Sequence, residues 1–193
     1  MKHSVTALLC TLFSTLCFAE NKVTVIEYNP APGQFVNTLP IIESENDILQ
    51  KAQQNLERGS MISLGAFGGY MTVKFDTPLA NAKGNDFIIL GNAFETSAEP
   101  GVVMVSRDAN QNGIADDRWY EIAGSEYARS TKNYEITYYR PTAENDASEE
   151  AVNDYIHWSD NQGNSGWLTK NTTHKQPYYP TWIDADSLTF RGT

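Results

Sequence analysis

Hydrophobic and polar positions alternate along much of this chain, and the alternation predicts strands. VTVIEY, from Val23 to Tyr28, has a period of two and is rich in β-branched residues, so it reads as a first strand. NPAPGQF follows as a turn-rich connector. The period then changes: Ile48, Leu49, Ala52 and Leu56 fall on one face of a helix. Ser44 can cap that helix, Asp47 stands three residues later in a capping-box pattern, and Gly59 stops it. It is expected to pack on a sheet rather than to carry chemistry.

From Met61 onward the apolar runs are short: MISLG, YMTVKF, DFIILG, GVVMVS, WYEIAG, NYEITYY, DYIHWS and SLTF, separated by Gly, Asn, Asp and Pro. Alternation is clearest at Met71, Val73 and Phe75 and at Val103 and Val105. No helical pattern lies between these runs, which argues against a parallel α/β sheet. The expectation is an all-β jelly roll or β-sandwich with one short N-terminal helix. Thr142 to Tyr155 is an acidic insertion, read as a short helical turn or a loop. Neither an internal repeat nor a second domain is visible.

The first twenty residues change the picture. MKHSVTALLCTLFSTLCFAE has a basic start, an apolar run from Val5 to Phe18, and Ala19 ahead of Glu20. This pattern predicts a signal peptide over residues 1–19 and a single domain over 20–193, secreted, periplasmic or on the cell surface. The run is short for a membrane anchor, and no other long apolar stretch follows. A lipidated alternative would use Cys17, against the bulk of Leu16 before it. Cys10 and Cys17 both fall in the leader, so the mature chain is expected to fold without a disulfide.

Composition narrows the partners. The 24 acidic residues outnumber the 14 basic ones, giving a formal charge of −10. Such a surface repels phosphate backbones, so nucleic acid is not an expected partner. It suits a cation, a neutral ligand, or merely solubility.

One short stretch gathers oxygen ligands. In DANQNGIADDRWYE, from Asp108 to Glu121, oxygen-bearing side chains stand at positions 1, 3 and 5 (Asp108, Asn110, Asn112), with Gly113 at position 6 for the bend. Ile114 can offer its carbonyl, and Asp116 or Asp117 can close the shell. Position 12 is Trp119 rather than Glu, so this is not an EF-hand; Glu121 or a more distant carboxylate would have to finish the site. Calcium is the expected cofactor, against the alternative that Asp, Asn and Gly simply make good turns. Weaker polar clusters, DTPLANAKGND around Asp86, Glu99 before Pro100, and DNQGNSG from Asp160, read as turns or as further cation contacts.

At SLGAFGGYMTVKFDTPLANAKGNDFIILGNAF the chain resembles a family of bacterial secreted and cell-surface proteins. The shared positions are Ser63 to Gly65, Gly68, Gly69, Phe75, Asp76, Pro78, Asn81, Gly84, Asp86, Phe87, Gly91 to Phe94, and Glu99 to Asp108; YIHWSDNQGNSGW and HKQPYYPTWI are similar as well. The resemblance implies a discoidin-like jelly roll without an assigned catalytic activity. Some members are linked to surface capture of nutrients, corrinoids among them, and others sit beside carbohydrate-handling proteins. It therefore also implies a small-molecule or glycan ligand, met alone or in a surface protein complex.

Aromatics crowd the last third of the chain. Trp167, Tyr178, Tyr179 and Trp182 are candidates for stacking on a sugar or a corrin ring, with core packing as the alternative. Trp158, in an alternating strand, reads as core. Enzyme signatures are sparse: His157 and His174 lack a metal-binding spacing, and there is neither a G-x-S-x-G elbow nor a mature cysteine. The expectation is a calcium-stabilised binding module; a glycan-active hydrolase, or an accessory domain of one, is the alternative.

Overall fold

The computed structural model describes residues 22–38, 45–141, 155–171 and 173–192. The proposed leader, Ser44 and most of the acidic insertion lie outside these residues. Among them are ten strands and one α-helix, in small antiparallel sheets. The all-β expectation holds at that level.

Strand β1 (Val23–Asn29) and helix α1 (Glu45–Glu57) appear where the two periodicities place them. β2 (Tyr70–Phe75) pairs with β1, with a register shift between Val25 and Glu27. Ile48 and Ala52 are buried against Val25 and Tyr28, and Leu49, Leu56, Met71, Val73 and Trp182 close around them. Gly59 ends the helix at φ 64°: its N–H donates to Leu56 O and that of Ser60 donates to Asn55 O, the paired bonds of a Schellman cap.

Next come two short hairpins, β3 (Ala93–Phe94) with β4 (Ser97–Ala98), and β5 (Met104–Ser106) with β6 (Trp119–Glu121). The principal sheet has four strands in the order β10-β7-β8-β9, formed by β7 (Tyr134–Tyr139), β8 (Ile156–Asp160), β9 (Ser165–Leu168) and β10 (Ser187–Gly192). Its inward side chains, Ile136, Tyr138, Ile156 and Phe190, join Ala31, Tyr155, Tyr178 and Tyr179 in the main core, with Trp158, Leu168 and Leu188 packed against them. Trp158 is thus a core residue; its indole lies over Gly166, the residue opposite it on β9, where a Cβ would come within 2.8 Å.

Two runs read as strands behave otherwise. MISLG is a loop that docks onto the proline-rich connector, with Ala31 N donating to Leu64 O and Ala66 N to Pro32 O. Gly65 (φ 76°) and Gly68 (φ 91°) make this possible: added Cβ atoms would lie 1.8 Å from Ala31 O and 2.3 Å from Phe190 Cβ. DFIILG forms no strand at all, and Ile88, Ile89 and Leu90 face solvent, Leu90 at 87% exposure. β-propensity alone makes no strand without a partner edge to pair with.

Long-range polar contacts tie the two cores together. Asn37 donates to Pro177 O (2.7 Å) and Tyr179 O (2.8 Å) and accepts from Thr181 N. Tyr28 OH donates to Ser63 O (2.6 Å), and Tyr138 OH to Phe67 O (2.9 Å). No helix among the described residues is long and apolar enough to cross a membrane.

Candidate functional site

The acidic stretch is the loop of the β5–β6 hairpin, its ends pinned by the pairing of Ser106 with Trp119. Within it the predicted side chains converge. Asp108 Oδ1 (3.1 Å) and Asn110 Oδ1 (2.9 Å) both accept from the N–H of Asn112, and Asp108 Oδ2 accepts from Gly113 N (2.9 Å). Asn112 Oδ1 accepts from Ile114 N (2.8 Å). Asp116 accepts from the side-chain amides of Asn112 (3.0 Å) and Asn110 (3.4 Å). Asp117 instead ties the loop ends together, accepting from Ala109 N at 2.9 Å.

Backbone geometry explains the bend. Gln111 (φ 59°) and Gly113 (φ 75°) are left-handed, which turns successive N–H groups toward the carboxylate of Asp108. Lys74, on β2, brings its ammonium against Gly113, so an added Cβ there would meet Nζ at 2.9 Å. A positive charge thus already faces this acidic loop from outside.

The donor set matches a hard cation in type. Calcium takes roughly 6 to 8 oxygens, and Asp108, Asn110, Asn112 and Asp116 bring carboxylate and amide groups to one bend. Among the described residues, no group of three or more His, Cys, Asp or Glu is placed to hold a metal, so an ion here would depend on the asparagines. Their amides turn Nδ2 toward Asp116 while their Oδ1 atoms accept the N–H groups of Asn112 and Ile114, so offering Oδ1 to an ion beside Asp116 would give up those two bonds. Glu121 is held by Lys132 (2.9 Å).

The other polar clusters carry internal hydrogen bonds. Asp86 accepts from Ala82 N (3.0 Å), and Glu99 accepts from Asn92 (3.1 Å). Asp160 starts the β8–β9 turn, accepting from the N–H groups of Gln162 and Asn164, the Asn164 amide and Tyr134 OH. Desolvation works against its ionisation, but the hydrogen bonds from Asn164, Tyr134 and Gln162 outweigh it and hold the carboxyl below its usual range.

The four aromatic candidates separate. Tyr178 and Tyr179 lie in a loop but are buried to 3% and 4% exposure, which places them in the core rather than on an open face. Tyr178 OH accepts from Asn171 N and bonds His174 Nδ1 at 2.6 Å; Tyr179 OH donates to Ala185 O. Burial raises the Tyr179 phenol, opposed by the Arg140 guanidinium stacked over its ring. Trp182 packs beside the helix. Only Trp167 presents a broad surface, at 44% exposure.

Trp167 has neighbours that were not among the ligand candidates. His157 lies directly across from it, with ring centroids 5.1 Å apart, and Tyr139 approaches the other side of His157 at 5.3 Å. Strand alternation puts these three positions on the outward parity of β7, β8 and β9; which of them touch is fixed by register, a long-range property. A cleft of about 410 Å³ opens elsewhere, between Gly33–Gln34, Gly65–Ala66 and Leu168–Asn171, with Tyr178 in its wall.

No protein-family model matches the chain, and no curated protein matches it.

Proposed function

We propose that this chain is a secreted or cell-surface binding module, built on a jelly-roll-type β body and stabilised by calcium. Its ligand would be a glycan or a corrinoid. The observation that carries the calcium assignment is the gathering of Asp108, Asn110, Asn112 and Asp116 around one left-handed bend between two paired strands. Carboxylates drawn together there repel one another, and a divalent ion offsets that repulsion. The mature chain would carry neither cysteine if Cys10 and Cys17 leave with the leader, so an ion would take the role of a cross-link by fixing the hairpin loop. The resemblance of Ser63–Phe94 to bacterial surface proteins supports the location and the binding role.

The deciding experiment is thermal unfolding of the mature protein in EGTA and in a calcium series. Calcium should raise the midpoint by mass action, saturably, and Asp108→Ala should abolish the shift. An unchanged midpoint at millimolar calcium would remove the ion from the proposal.

A further inference from the structure

The outward face of the four-stranded sheet carries two parallel rows. Register sets Ser187 against Tyr139 and His157 against Trp167, and ring contacts of 5.3 Å and 5.1 Å link Tyr139, His157 and Trp167 into one aromatic row. The adjacent row runs Thr189, Thr137, Ser159, Ser165, each the strand partner of the next. Thr137 and Thr189 hydroxyls meet at 2.8 Å, and Tyr139 OH joins the rows through Ser159 Oγ at 3.0 Å. The core is filled by the opposite parity, including Tyr138, Ile156 and Phe190, so the outward rings are not needed to close it. Tyr139 is 40% exposed, close to the value for Trp167.

Resting on the binding-module reading, we infer that this double row is the ligand surface and that it takes a neutral glycan chain. A pyranose ring offers an apolar C–H face and a rim of hydroxyls, and the sheet offers rings beside hydroxyls in the same order. Charge excludes the main competitor. Neither row holds a Lys or Arg, the nearby Arg191 is paired with Glu135 (2.5 Å), and the chain as a whole carries −10, so a polyanion finds no counter-charge here. A wholly apolar partner would bury the hydroxyl row without new hydrogen bonds, at a desolvation cost.

The test is tryptophan-fluorescence titration of the mature protein, in calcium and in EGTA. The probes are hexasaccharides of glucose, mannose, xylose and galactose, with polygalacturonate and cyanocobalamin alongside. At least one neutral hexasaccharide should bind saturably. Trp167→Ala and, independently, Tyr139→Ala should each weaken it by about tenfold or more, the scale of one lost stacking contact with its buried area, while Trp167→Phe retains most of the affinity. Glycan binding that survives both alanine variants with unchanged affinity would overturn the surface assignment and leave the binding-module reading standing. Absence of binding to every hexasaccharide would overturn the glycan assignment itself. So would saturation by polygalacturonate or cyanocobalamin that depends on Trp167, or a dimer that Trp167→Ala converts to monomer in sedimentation.

Discussion

Gln53 on α1 holds the open edge of β1 at Val25: its Oε1 accepts from Val25 N at 2.7 Å while its Nε2 donates to Val23 O at 3.1 Å. One side-chain amide therefore does what a neighbouring strand would do for those two groups. The two-stranded β1–β2 sheet gains a partner where it would otherwise present an unpaired edge. Replacing Gln53 by Leu keeps the bulk and removes both bonds, leaving half-buried main-chain groups unmet. The expected cost is about 1–3 kcal/mol in a urea unfolding series. A midpoint unchanged from the parent would show that water serves those groups equally well.

Gly113 offers a separate measure of the cation loop. Its φ of 75° is strained for any residue with a Cβ, and the added carbon would press on Lys74 Nζ, which is a flexible chain end and can retreat. Gly113→Ala is expected to cost about 1–2 kcal/mol from the left-handed conformation alone. If calcium occupies the bend, the same change should also weaken its binding, read as a rightward displacement of the calcium–midpoint curve. Equal destabilisation with and without calcium would mark the strain as purely local.

How much of this was legible beforehand depends on the range of the interaction. The α1 face of Ile48 and Ala52, its Gly59 stop and the acidic loop are local patterns, and each stands where periodicity and turn chemistry put it. DFIILG has the composition of a strand, yet Ile88 to Leu90 pair with nothing among the described residues, because pairing needs a second edge that composition does not encode. Tyr178 and Tyr179 sit in polar, loop-like sequence but are drawn into the core by contacts to Asn171, His174 and Ala185 and by the Asn37 clamp. The aromatic row was hidden for the same reason, since Tyr139, His157 and Trp167 meet only through strand register.

Acid sensitivity follows from Asp160. Folding lowers its pKa from the ordinary 3.8, so folding favours the carboxylate. The contribution is therefore complete above the ordinary value and is lost as pH falls through the lower, folded one. Asp160→Asn should flatten the acid limb of urea midpoints measured between about pH 2 and pH 6. If the mutant and parent curves stay parallel across that range, the turn does not depend on this ionisation.

Alkaline sensitivity has the opposite sign and a different source. Burial raises the Tyr28 and Tyr138 phenols well above their ordinary 10.0, and the neighbouring Tyr134 raises Tyr138 further. Folding thus favours the neutral phenol, and this stability is complete below pH 10 and is lost as pH rises toward the folded values. Melting temperatures should fall steeply above that point, along with growth of the phenolate absorbance. Tyr138→Phe forfeits one hydrogen bond, worth about 0.5–1.5 kcal/mol at neutral pH, but its alkaline decline should be shallower than the parent's. A mutant that declines as steeply as the parent would mean that Tyr138 does not govern the alkaline limb, and Tyr28→Phe would then be the variant to compare.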